Sequence, residues 1–301
     1  MPPTVKEGGV GPSDFDAIEF PALYVAADRN SLAAQRHFLT ATQLRLVLLV
    51  IASLFGGVVW LANGTDIAGV VAAVAFAGAI GTELYLVTSR AEKVWYDGRA
   101  VAESAKTLTW RYIVRGGPFS SSVSGADERF AERLNALIHD VPGDHLVPVS
   151  DTRTQITSSM RRARDLSLDD RQSMYLHRRI RDQHAWYSSK ARWNASRARR
   201  WNVSLVGVET LGLIAAILKA TGVLSLNLLG LAGAMVAAGV AWLQARQHET
   251  LGRAYSIAAQ ELAEIASRVD QSRTDDEWGD FVDQAEEAIS REHTMWRASH
   301  T

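Results

Sequence analysis

The sequence predicts an all-α integral membrane protein: four transmembrane helices in two tandem helical hairpins, with long amphipathic helices outside the membrane. Three observations predict it. Residues 46–62, 67–89, 201–218 and 223–244 are nearly free of charge, whereas charge is dense elsewhere. Each pair of windows is joined by a very short polar link, Asn63-Gly64-Thr65-Asp66 in the first and Lys219-Ala220-Thr221-Gly222 in the second. Basic residues gather at the opposite ends of the windows, at Arg36, Arg45, Arg90, Lys93, Arg197, Arg199, Arg200, Arg246 and Arg253.

The windows come first. A hydrocarbon core of about 30 Å needs about 20 apolar residues at a helical rise of about 1.5 Å, and all four windows fall in the workable range. Buried helices of soluble proteins rarely stay uncharged on every face for so long. The whole-chain averages hide this. Mean hydropathy is −0.05, and hydrophobic residues make up 47% of the chain. A net charge of −1 provides no global field toward nucleic acid. The absence of cysteine excludes a disulfide framework and a thiolate metal site, and suits parts that reside in a reducing compartment. The first residues lack a basic stretch followed by an apolar core and do not read as a signal peptide.

Links this short force antiparallel neighbours. The excess of Arg and Lys opposite the links places both tips outside and both termini in the cytosol. Trp60, Trp201 and Trp242 fall near window ends, as interfacial anchors do. Each half repeats one plan of amphipathic helix, membrane hairpin and amphipathic helix. The expected organisation is a disordered tail at 1–20, a first domain at 21–149 and a second at 150–301. No proline interrupts a membrane entry or exit, so helices are expected to run through unbroken. Gly116-Gly117-Pro118 ends the first exit helix, a short helix is expected around 130–139 and a polar helical stretch at 151–167, and Pro142, Gly143 and Pro148 bound the linker.

Within the windows, Gly69, Ala73, Ala77 and Gly81 form a stripe of small residues, echoed by Gly230, Ala234 and Ala238. Such stripes let membrane helices approach closely, within a hairpin or between subunits. Two acids need a reason, because a carboxylate at the bilayer centre costs about 2.5–3.5 kcal/mol on insertion scales. Glu209 lies roughly 13 Å past Arg200, and Glu83 roughly 10 Å before Arg90. Each is a pore or gating candidate. The structural alternative is an acid hydrogen-bonded to a neighbouring helix, and it is favoured for Glu83.

The entry helix of the second half is the most basic stretch, with Arg178, Arg179, Arg181, Lys190, Arg192, Arg197, Arg199 and Arg200. Leu176, Ile180, Gln183, Tyr187, Ala191, Asn194, Ala198 and Trp201 recur at three and four, which marks a packing seam and puts the arginines on solvated faces. No nucleic-acid partner is expected. The acidic run from Asp275 to Glu287 is a complementary surface for this helix. Phosphate-loop, dinucleotide, nucleophile-elbow and zinc-protease motifs are absent, and the histidines are scattered. Neither catalysis, cofactor nor metal is expected.

The stretches WYDGRAVAESAKTLTWRYIVRGGPF (95–119) and YLHRRIRDQHAWYSSKARWNASRARRW (175–201) resemble a tandem of SLATT domains. These are two-transmembrane-helix effector domains associated with SMODS nucleotidyltransferases and SLOG nucleotide sensors. Trp110, Arg111 and Tyr112 in the first stretch and Trp186 and Tyr187 in the second carry the likeness. The resemblance implies a bacterial inner-membrane effector of a nucleotide-signalled conflict system, pore-forming or membrane-perturbing. It also implies a homo-oligomer, with a nucleotide-sensing or nucleotide-producing partner protein. The motif residues, together with Arg178, become candidates for coupling outside the membrane. The alternatives are a non-catalytic scaffold or adaptor anchored by its hairpins, and a small transporter.

Overall fold

The computed structural model describes residues 18–121, 124–139, 154–224, 228–269 and 274–298. The expected tail, apart from residues 18–20, and the turn at Pro142, Gly143 and Pro148 lie outside the described residues. The helices are α1 (Ala22–Gly56), α2 (Ile67–Ser89), α3 (Ala91–Ile113), α4 (Ala126–His139), α5 (Ser158–Arg164), α6 (Leu168–Tyr175), α7 (Asp182–Ala220), α8 (Leu228–Arg246), α9 (His248–Val269) and α10 (Asp275–Ala298). A π-helical turn, Leu176–Arg181, joins α6 to α7. Four helical stretches are long and apolar enough to cross a membrane. Only 6–17% of their apolar windows is buried inside the chain, so the protein itself does not cover them. A soluble core would. The fold is that of an all-α membrane protein, and lipid covers these faces.

The chain forms two compact units that cut across its sequence halves. One is built from Asn30–Tyr96 and Ala185–Ala259, and holds the apolar windows. The other is built from the described parts of Met1–Arg29, Asp97–His184 and Gln260–Thr301.

In the membrane unit α2 matches its expected window, but α1 does not. Its helix stops at Gly56, and a two-stranded hairpin pairs Leu61 with Asp66 and Ala62 with Thr65. Asn63 and Gly64 both have positive φ, 51° and 78°, which suits the mirror-image turn favoured in tight hairpins. Asp66 Oδ1 accepts from the Trp60 amide at 3.0 Å and ties the hairpin to its base. From residue 46 to Gly56, α1 rises only about 16 Å, too little for the hydrocarbon core. The span therefore begins earlier and takes in Arg45, which the sequence alone puts at the flank. In the second hairpin α7 continues through Lys219 to Ala220 and α8 begins at Leu228, so the helical part of the fourth window starts later than residue 223.

Passage into the membrane is unbroken in both hairpins, as the lack of proline predicts: α1 is continuous, and α6, the π turn and α7 form one helical run. Passage out is broken in both. Arg90, between α2 and α3, has φ 46°, and Gln247, between α8 and α9, has φ 48°. A single left-handed residue re-aims each exit helix without a glycine or proline to announce it.

Small residues set the hairpin spacing. A Cβ on Gly212 would stand 2.8 Å from Ala232 Cβ, and one on Gly239 would stand 2.5 Å from Leu205 Cδ2. In the first hairpin α2 buries Ala68, Ala75 and Ala79. Ala73, Ala77 and Gly81 point away and are exposed, as is Gly230, while Gly69, Ala234 and Ala238 are half-buried.

The second unit has an aromatic core. Trp110, Tyr112, Phe119, Phe130, Tyr175 and Trp278 are all buried. The short helix expected around 130–139 is the end of α4, which buries Phe130 and Leu134. The stretch at 151–167 is helical only in α5 among its described residues. The C-terminal carbonyls of α3, which have no helical partners, are claimed by long side chains. Arg164 donates to Tyr112 O at 2.6 Å, and Arg171 donates to Val114 O at 3.3 Å. The Trp278 indole also donates to Val114 O, at 2.9 Å. Gly116 is required where the chain turns off α3, because a Cβ there would meet Val282 Cγ1 at 2.3 Å.

Candidate functional site

Two groups of charged residues stand out, one in each unit. In the membrane unit the two acids differ. Glu83, on α2, accepts an ion-paired hydrogen bond from Arg45 Nη1 of α1. Each charge answers the other, which is the cheapest arrangement for ionised groups at membrane depth. Glu209, on α7, is exposed and has no hydrogen-bond or ion-pair partner among the described residues. Its polar neighbours are satisfied by their own helix: Ser204 Oγ donates to Arg200 O at 2.9 Å, and Thr210 Oγ1 donates to Val206 O at 2.8 Å. Asn202 is the exception. It lies one heptad before Glu209, hence on the same face, and is likewise exposed without a partner among the described residues. Asn202 sits at the edge of its window, where polar residues are ordinary, so the sequence alone does not single it out.

In the other unit the centre is a buried ion pair. Arg179 and Glu286 are 1% and 0% exposed and meet through two hydrogen bonds, Nε to Oε1 at 2.8 Å and Nη2 to Oε2 at 2.6 Å. Tyr175 donates its hydroxyl to Glu286 Oε1 at 3.0 Å, and Arg179 Nη2 reaches Thr107 Oγ1 at 3.3 Å. Burial works against the Arg179 charge, but the Glu286 carboxylate overrides it and holds the guanidinium above its ordinary pKa. Burial, reinforced by Glu286, raises the Tyr175 hydroxyl well above its ordinary range. Nearby Lys106 is shifted down, chiefly by burial. Arg179 lies in the π-helical turn, whose extra residue per turn re-aims side chains and is frequent at functional positions.

The expected solvated faces of the basic helix therefore need correction. Arg179 is fully buried, and so is Arg171 on α6, which pairs with Asp275 at 2.7 Å. Arg111 of the Trp-Arg-Tyr motif pairs with Asp283 at 3.0 Å. The acidic run does meet basic residues, but at Arg111, Arg171 and Arg179. Trp110 and Tyr112 are core residues, and the Tyr112 hydroxyl donates to Asp127 at 2.6 Å. Tyr187 is buried in the membrane unit, and the partly exposed Trp186 packs edge-on against Tyr187 and Tyr255. Arg178, next to Arg179, is half-buried. Of the expected packing seam, Leu176, Ile180, Tyr187, Asn194 and Ala198 are buried, whereas Gln183, Ala191 and Trp201 are half-buried. An open crevice of about 380 Å³ between α9 and α10 is lined by Glu261, Glu264, Arg268, Phe281 and Glu287, among others. No group of metal-ligating residues occurs among the described residues.

The fold and these sites define a multi-pass helical membrane protein with a packed, charge-laced helical unit outside the apolar windows. Residues 21–172 match the model of SMODS and SLOG-associating 2TM effector domain 3, and residues 175–296 match that of domain 1 of the same series. The chain belongs to the SLATT family, with two such domains in tandem. Membership implies a membrane effector of a conflict system. No curated protein and no solved structure matches the chain.

Proposed function

We propose that the protein is a non-catalytic effector that self-associates in the bacterial inner membrane, with its termini in the cytosol, and opens a cation-attracting path when a nucleotide-signalling partner triggers it. The observation that carries this reading is Glu209, exposed near mid-span and without a partner among the described residues. Facing lipid it would cost about 2.5–3.5 kcal/mol. Facing a second copy across a water-filled seam it costs little, and a ring of such carboxylates attracts cations. Asn202 extends that polar line, and the uncovered small residues Ala73, Ala77 and Gly81 offer a surface for close helix contact between copies. Glu83, answered by Arg45, serves within the hairpin. The Arg179–Glu286 centre and the Trp-Arg-Tyr motif couple the trigger to the helices that enter the membrane.

A liposome flux assay on the purified protein, with size analysis in detergent, tests this. Oligomers that pass cations, with flux reduced by Glu209→Gln, support the proposal. Intact ion gradients with reconstituted oligomers under full activation by the partner sink it. The adaptor reading rests on the crevice between α9 and α10. It predicts partner recruitment that Glu209→Gln leaves untouched.

A further inference from the structure

The membrane unit carries a second charged feature that neither the hairpin packing nor the proposed path uses. Arg197 on α7 stacks over the Trp193 ring, 5.3 Å from its centroid, and Arg246 at the end of α8 stacks over Trp242 at 5.7 Å. Asn194 on α7 and His248, just past α8, meet at 2.7 Å, which brings the two guanidinium groups to the same end of the hairpin, where Arg197 acts electrostatically on Arg246. Neither has a hydrogen bond or an ion pair with a carboxylate among the described residues. Glu249, the acid closest in sequence to Arg246, is engaged by Arg253 at 2.6 Å. Two like charges held together with no counter-charge are an unfavourable arrangement unless an anion joins them.

The scaffold around them is firm. His248 Nδ1 and Asn194 Oδ1 stand 2.7 Å apart and both residues are buried, so the turn after α8 is pinned to α7. The His248 ring meets the Trp193 ring edge-on at 5.3 Å. A guanidinium over a tryptophan face is attracted to the ring and retains N–H donors suited to planar, bidentate contact with an oxyanion.

Depth identifies the anion. Arg197 lies about 6 Å before Trp201, where the third window begins, and Arg246 about 3 Å beyond the end of the fourth, at 1.5 Å per residue. The headgroup layer outside the hydrocarbon core is roughly 5–8 Å thick on each side. We infer that Arg197 and Arg246, backed by Trp193 and Trp242, form a site for the phosphate of an anionic phospholipid headgroup at the polar end of the second hairpin. Among its described residues the first hairpin shows no arginine over a tryptophan ring at the corresponding end.

The test uses the whole protein in zwitterionic detergent, with thermal stability read against added dihexanoylphosphatidylglycerol, dihexanoylphosphatidylcholine or inorganic phosphate. Phosphatidylglycerol should stabilise saturably, while phosphatidylcholine and free phosphate should not do so over the same range. R197Q/R246Q should weaken the apparent affinity about 30-fold, because two guanidinium–phosphate contacts of about 1 kcal/mol each are lost. R192Q/R199Q, which removes two exposed arginines of the same helix, should change it by no more than about twofold. Equal losses in the two pairs would show diffuse charge attraction and overturn the site, and free phosphate binding as tightly as the lipid would overturn the lipid assignment. Should R197Q/R246Q fail to fold, native mass spectrometry of the wild-type protein taken from mixed phosphatidylglycerol and phosphatidylcholine membranes decides. Retained phosphatidylglycerol above its bulk share supports the site, and retention at the bulk share overturns it.

Discussion

Replacing Arg179 with methionine removes one partner of a fully buried ion pair and strands Glu286, which is 0% exposed, beside a neutral side chain. Breaking such a pair costs about 3–5 kcal/mol, because the remaining charge is desolvated and unanswered. Tyr175 still donates to Glu286, so the loss should fall toward the lower end. For a unit of this size each kcal/mol moves the midpoint by about 2–4 °C, so Arg179→Met should lower it by roughly 6–20 °C. The assay is a thermal melt followed by tryptophan fluorescence, since Trp278 is buried and packs edge-on against Tyr175 at 5.7 Å. The double variant R179M/E286L removes both charges and should recover most of the loss, since well-packed apolar replacements of buried pairs are often neutral. A single variant that melts within about 2 °C of wild type, or a double variant as damaged as the single, would refute the reasoning.

Other predictions follow from the same geometry. Gly116→Ala should destabilise the aromatic core by about 1–3 kcal/mol, read by the same melt, because its Cβ would collide with Val282. Gly212→Leu should splay α7 from α8 and be seen as weakened hairpin packing in a protease-protection assay, since even a Cβ there would meet Ala232 at 2.8 Å. Burial opposes ionisation of Asp275, but its bond to Arg171 prevails and holds the carboxyl below its ordinary range. A depressed folded-state pKa gives stability that is present above the unfolded value of about 3.9 and lost as pH falls through the folded value. Asp275→Asn should therefore melt lower at neutral pH and converge with wild type in strong acid. A constant gap across that range would show that the ion pair contributes nothing.

The parts of the fold that depend on local pattern were readable in the sequence. Unbroken apolarity marks the windows, and short polar links fix the pairing of α1 with α2 and α7 with α8. Spacing at three and four along α7 marks the seam that buries Tyr187, Asn194 and Ala198. What escaped depends on distant partners or on single dihedrals. Arg179 reads as a solvated arginine until Glu286, 107 positions away, is brought beside it. Arg90 and Gln247 adopt left-handed conformations that usually call for glycine or asparagine, so the sequence carries no mark of either break. The early end of α1 did leave a signal in Gly56-Gly57, which the surrounding apolar run masked. Glu209 was recognisable as costly, but its lack of a partner among the described residues required the positions of the other helices.

The most direct measurement concerns which way Glu209 faces. The chain has no cysteine, so single replacements report cleanly. Leu211 is also exposed but lies about 200° further round α7. Glu209→Cys should form a disulfide between copies under mild oxidation and react with a water-soluble thiol reagent in intact membranes, while Leu211→Cys should do neither. Equal behaviour at the two positions, or protection of both, would contradict a water-filled interface lined by Glu209.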